Sequence, residues 1–158
     1  ILIGLVGSEM CIRDRGIFVL VKTSNPSSGE LQDQKIGENT VYDVMGDMCE
    51  TWGAEQIGAS GYSAVGAVVG ATYPEQLKEL RVRLPHTFFL VPGYGAQGGG
   101  AAGVAAAFDQ NGLGAIVNSS RGIMCAYQKE ADCPAEDFAG AARREAIRMR
   151  EDLCSHIQ

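Results

Sequence analysis

A surplus of positive charge is what this sequence most plainly lacks: 13 Lys and Arg stand against 19 Asp and Glu, a formal charge of −6 with an isoelectric point near 4.9. Affinity for a nucleic-acid backbone comes from a basic surface that displaces counterions, so nucleic acid is not expected as a partner, although a small anion can still be held locally. Histidine is nearly missing (His86 and His156), and the five cysteines, Cys11, Cys49, Cys125, Cys133 and Cys154, are odd in number, scattered, and never spaced as C-x-x-C. Neither a disulfide framework nor a zinc site is therefore expected, and no other metal is implied. The thiols read as core or incidental residues and suit a reducing, cytoplasmic setting. Long apolar runs are also missing. Residues 1–6 are apolar but far too few to span a bilayer, and no basic residue precedes them, which argues against both a membrane helix and a signal peptide.

What is present is a globular composition, 46% hydrophobic and 20% charged over 158 residues, enough for one domain with a real core. From Gly16 onward four similar units follow one another. Residues 17–21 form an apolar run of β-formers, expected as a strand buried on both faces of a parallel sheet. After a polar loop, Val41, Val44 or Met45, Met48 and Trp52 recur at helical spacing, predicting an amphipathic helix over about 39–57 that covers the sheet, with Gly58 and Gly61 as its stop. The second unit is a strand within 64–71 and a helix opened by Pro74 that runs to Leu84, with Leu77, Leu80 and Leu84 on one face. The third is a strand at 87–91, a glycine-rich loop, and an alanine-rich helix over 101–110 ended by Asn111-Gly112. The fourth is a strand at 113–117, the segment Asn118-Ser119-Ser120-Arg121-Gly122, and a last helix, opened by Asp132 or Cys133 before Pro134, that runs to about Leu153.

Successive strand-loop-helix units imply an α/β fold with a parallel sheet and right-handed crossovers. Four such units would make half of an eightfold barrel, but a doubly wound open sheet fits the same pattern. In both architectures ligands gather at the carboxyl ends of the strands. The third strand ends there in Pro92-Gly93-Tyr94-Gly95-Ala96-Gln97-Gly98-Gly99-Gly100, a stretch whose glycines let backbone bend sharply and approach an anion. The fourth ends in Ser119, Ser120 and Arg121, and a guanidinium beside a glycine loop is a natural phosphate grip. Gly93, Gly95 and Gly98 also satisfy G-x-G-x-x-G, so an NADP-binding Rossmann-like oxidoreductase is an alternative, as is a nucleotide-phosphate-binding module without chemistry. Against the dinucleotide site stand Pro92 ahead of the first glycine, the lack of an acidic residue at the end of the next strand, and the two complete units that come before.

Four segments in order, Phe18 through Ser28 with its K-T-S-N-P core, V-G-A-T-Y-P at 69–74, V-P-G-Y-G-A-Q-G-G at 91–99 and V-N-S-S-R-G at 117–122, resemble the C-terminal half of orotidine 5′-phosphate decarboxylase, in its longer bacterial subfamily. The resemblance covers residues 16–158 and implies a (β/α)8 TIM barrel whose strands five to eight are those read here. It implies that Ser24 contacts the pyrimidine edge, that Pro92 opens a mobile phosphate loop made of Gly93, Gly95, Gly98 and Gly99, that Gln97 bridges pyrimidine and phosphate, and that Arg121 grips the phosphate. It further implies orotidine and uridine 5′-monophosphate as ligands, no metal or organic cofactor, and a homodimeric parent. The catalytic lysine and aspartates of such enzymes sit in a D-x-K-x-x-D-like segment on earlier strands, and no D-x-K-x-x-D occurs here; Lys22 and Asp33 do not match it. Residues 1–15, with V-G-S-E-M-C-I-R-D-R at their end, resemble translated sequencing-adapter readthrough and are expected to be a non-native leader, the alternative being a genuine N-terminal strand over Ile1 to Val6 followed by a turn.

Overall fold

The computed structural model describes residues 15–95, 98–130 and 135–157. Its centre is a four-stranded parallel sheet. The first strand, β1 (Ile17–Lys22), is followed by a 3-10 turn at Pro26–Ser28 and a short helix, α1 (Gly29–Gln32), inside what the sequence marks only as a polar loop. A small antiparallel hairpin, β2 (Lys35–Ile36) and β3 (Asn39–Thr40), then leads into α2 (Val41–Gly53). The second sheet strand, β4 (Val65–Val69), is followed by α3 (Pro74–Arg83), and β5 (Phe89–Pro92) by α4 (Ala101–Ala105). Last come β6 (Ala115–Asn118), α5 (Ser120–Met124) and α6 (Phe138–Cys154).

The sheet order is β1-β4-β5-β6, every pair parallel, so each strand lies beside the one before it. A doubly wound sheet reverses its strand order at a switch point; this one steps in a single direction, as a barrel does. One face carries Val21, Val65, Ala67, Val69, Phe89 and Val91 into a core shared with Leu77, Leu80 and Leu84 of the α3 region, Val104 of α4, and Met149 and Leu153 of α6. The opposite face is buried along β4, as expected, but not on β1 and β6: Phe18 is 48% exposed, Leu20 63% and Ile116 53%. Four strands cover one layer of helices but cannot curl far enough to shield their inner face, which in a closed barrel is shielded by the strands across the axis.

The first long helix corrects the sequence pattern by one position. Its buried residues are Tyr42, Gly46, Cys49 and Gly53, while Met48 and Trp52, expected on the sheet, are exposed. Both stripes recur at helical spacing; contact with α3 chooses between them. A Cβ on Gly46 would sit 2.9 Å from Leu84 Cδ1, so only a glycine stripe lets the two helices approach this closely. The start is fixed by a capping box: Thr40 Oγ1 accepts from Asp43 N at 3.2 Å, and Thr40 N donates to Asp43 Oδ2 at 2.9 Å. The helix gives way at Gly53 to a 3-10 turn over Ala54–Gln56, ahead of Gly58 and Gly61. The alanine-rich helix is also shorter than predicted, and β6 starts later than Leu113 because Gly112 and Gly114 take positive φ (71° and 92°). The residues expected to open the last helix, Asp132, Cys133 and Pro134, lie outside the described residues, as do 1–14 of the expected leader.

Candidate phosphate and base site

The polar residues picked out by the sequence stand together along one rim, at the carboxyl ends of the four strands. Phe89 to Pro92 of β5 pair with Ala115 to Asn118 of β6, which brings the glycine turn and the Asn118–Arg121 segment side by side. Between them lies a cavity of about 100 Å³ lined by Pro92, Gly93, Tyr94, Asn118, Ser119, Ser120 and Arg121. A complete small-molecule pocket runs to ~300–1,000 Å³, whereas this cavity has room for a group about the size of a phosphate. Arg121 is exposed, and among the described lining residues it is the only charge. An anion entering the cavity therefore meets one guanidinium and no opposing carboxylate.

The turn owes its shape to glycine. Gly93, Gly95 and Gly98 have φ of 101°, 76° and 93°, a region side chains avoid, and a Cβ on Gly99 would lie 2.5 Å from the Ala71 Cβ. Its amides are not the bare donors that the sequence suggests. Gly95 N donates to Gly99 O at 2.9 Å, Gly98 N to Gly95 O at 2.9 Å, and Gly99 N to Gly93 O at 3.3 Å. These three groups close the loop on itself, so in this conformation their N–H groups are not free to meet an anion. Gln97 and Ala96 lie outside the described residues.

Two contacts hold the base of the turn, and neither can be read from spacing. Ser119 Oγ, buried, donates to Tyr94 O at 2.9 Å, and the Tyr94 hydroxyl, also buried, donates to the Asp152 carboxylate on α6. Burial, and after it the hydrogen bond to Asp152, pushes the Tyr94 phenol up from its ordinary value of 10.0. Gly122 is needed beside this arrangement, since a Cβ there would meet Ser119 Oγ at 2.4 Å.

Ser24 does not line that cavity. It stands at the end of β1, packed on Gly70, where a Cβ would lie 2.8 Å from Ser24 N, and its carbonyl accepts from Thr72 Oγ1 at 3.4 Å. The rim thus has two stations, Ser24 at one edge of the sheet and Arg121 at the other, with the glycine turn next to Arg121. Lys22 and Asp33 meet close to Ser24 in an ion pair of 2.6 Å.

Among the described residues no cluster of three or more His, Cys, Asp and Glu side chains is suited to a metal ion, and no helix is long and apolar enough to cross a membrane. Cys49 is fully buried, and desolvation pushes its thiol up to about 11, the behaviour of an inert core residue.

Comparison with known proteins gives a consistent result. Residues 6–134 match the model of the orotidine 5′-phosphate decarboxylase / HUMPS family. Curated relatives include the orotidine 5′-phosphate decarboxylases of Rhodopirellula baltica (50% identical, over 92% of this chain and 49% of that protein) and Clostridium perfringens (47%, over 89% and 48%). The solved OMP decarboxylase of Leishmania donovani superposes with a TM-score of 0.67 at 32% identity, covering 91% of this chain and 50% of that one. The chain spans about half the length of the curated relatives it matches.

Proposed function

Because the chain belongs to the orotidine 5′-phosphate decarboxylase / HUMPS family, we propose that it carries the phosphate-gripping and base-reading part of a decarboxylase site, within a longer parent protein that converts orotidine 5′-monophosphate to uridine 5′-monophosphate. In that reaction the bond between ring carbon 6 and the carboxylate breaks, carbon dioxide leaves, the electron pair stays on carbon 6, and a proton from a lysine ammonium completes the product. The observation that carries the proposal is the cavity between β5 and β6, which Arg121 shares with the glycine turn and where no carboxylate stands among the described lining residues. A phosphate held after the last two strands is how this class of barrel orients its substrates. Binding energy gained there, far from the bond that breaks, can be used to close the glycine turn and favour the transition state. Ser24 would contact the pyrimidine, and Gln97 would bridge the base and the phosphate as the turn closes.

We assign residues 16–158 to the second half of a (β/α)8 barrel and residues 1–15 to a non-native leader. The parent is taken to be a cytoplasmic homodimer that needs neither metal nor organic cofactor. The chain by itself has no D-x-K-x-x-D segment, so it should bind nucleotide without turning it over. Two measurements test this. Uridine 5′-monophosphate should raise the thermal midpoint of the chain while NADP does not, and Arg121→Ala should weaken the nucleotide about a hundredfold, the loss of charge-assisted hydrogen bonds worth ~1.5–3 kcal/mol each. Protection by NADP instead would favour a dinucleotide site, and loss of orotidylate absorbance on incubation with the chain alone would refute the division of the site.

A further inference from the structure

Lys22 is fully buried, 1% exposed, although lysine is almost never buried without a reason. Its place follows from an irregularity in β1. Ile17, Phe18, Val19 and Leu20 pair in step with Val65 to Val68, but the next partner of Val69 is Lys22 rather than Val21. A slip of this kind re-aims the side chains beyond it. The Lys22 ammonium lies 5.5 Å from the ring centre of Tyr42 on α2 and 4.5 Å from that of Tyr73, the residue that precedes α3, and 2.6 Å from Asp33 Oδ1 just after α1. One cation thus joins three segments: the start of α2, the turn after β4, and the turn after α1.

What these segments enclose is the loop that holds Ser24. Gln32, next to Asp33, accepts from Thr23 N at 3.0 Å and donates through Nε2 to Thr23 Oγ1 at 3.2 Å. Thr23 Oγ1 donates to Asn25 Oδ1 at 2.6 Å, Asn25 Nδ2 to Ser27 Oγ at 2.8 Å, and the hydroxyls of Ser28 and Tyr73 are 3.4 Å apart. From the other side Thr72 reaches the Ser24 carbonyl, and Lys22 O accepts from Gly70 N at 2.7 Å. Of these bonds, the two between Gln32 and Thr23 depend directly on α1 staying against the end of β1. The direct tie between α1 and β1 that involves charge is Lys22 with Asp33.

We propose that Lys22 is a positioning residue for the base-reading station: through Asp33, Tyr42 and Tyr73 it holds α1 against β1 and so fixes the direction in which Ser24 is presented to a pyrimidine. This rests on the decarboxylase assignment for the role of Ser24, but the clamp itself does not. Lys22 touches no ligand in this scheme. Its effect should therefore fall on the base and spare the phosphate, since Arg121 and the glycine turn lie at the far edge of the sheet.

The test compares the chain with its Lys22→Met and Asp33→Asn variants by hydrogen exchange and by titration with uridine 5′-monophosphate and ribose 5-phosphate. Both variants should lose amide protection at Thr23, Ser28 and Gln34 while β4 and β5 keep theirs, and both should bind uridine 5′-monophosphate about tenfold more weakly with ribose 5-phosphate unchanged. Lys22→Arg, which keeps the cation, should recover part of the discrimination. Unaltered protection in the loop, or equal weakening of the two ligands, would overturn the proposal. If the unmodified chain binds neither ligand, the decarboxylase assignment of the site fails, and the exchange result alone then decides whether the clamp exists.

Discussion

Tyr94→Phe isolates the contact that ties the glycine turn to the last helix. The substitution removes one oxygen and keeps the ring, which is buried in the core. What is lost is a hydrogen bond to the carboxylate of Asp152, a half-buried residue that water can partly reach once its partner is gone. A hydrogen bond to a charged group contributes ~1.5–3 kcal/mol, and rehydration of Asp152 recovers some of that, so a net loss of about 1–2 kcal/mol is expected at neutral pH. For a chain of this length that corresponds to a fall of roughly 2–8 °C in the thermal midpoint. The pH dependence gives a sharper check. The folded-state pKa of Tyr94 is raised above 10.0, so its contribution is fully present below the unfolded value and is lost as pH rises through the folded one. Thermal unfolding followed by circular dichroism should show a gap between the two proteins at pH 7 that narrows above pH 10. A gap that persists unchanged at alkaline pH, or no gap at neutrality, would refute the role given to the hydroxyl.

Leu80 has no exposed surface and faces Gly46 across the contact between α2 and α3, so Leu80→Ala should leave a cavity that close packing cannot fill and cost about 3–4 kcal/mol in urea unfolding. At the other end of the sheet Tyr62 donates to Asp109 Oδ2 at 2.7 Å, and burial first, the hydrogen bond to Asp109 second, push its phenol up to about 12. The raised value means stability that is present below pH 10.0 and disappears by about pH 12, and Tyr62→Phe should make that alkaline loss shallower in the same unfolding experiment.

The parts of this molecule that could be read along the chain are those that depend on near neighbours. The four strands are apolar runs of β-formers closed by glycine or polar residues, and their parallel order follows from the helices between them. Leu77, Leu80 and Leu84 announce their shared face by spacing alone, and all three are fully buried. The glycine turn and Arg121 were visible as a pair because both follow strands, and strand ends are where such folds place their ligands.

Contacts between distant segments could not be read that way. Two stripes of α2 had helical spacing, and the closeness of Leu84 to Gly46 selected the one that buries Tyr42 and Cys49. Lys22 looked like an ordinary polar residue at the end of a strand until a one-residue slip against β4 placed it between Tyr42, Tyr73 and Asp33. The glycine amides looked free to bind phosphate until the turn folded back and paired three of them with its own carbonyls. By itself the sequence determined the four repeating units, their order and the two ends of the candidate site, because periodicity and glycine placement act over a few residues. Only the tertiary structure decided how that site is braced, because Lys22 and Asp33, like Tyr94 and Asp152, are separated along the chain and meet through packing that no local pattern encodes.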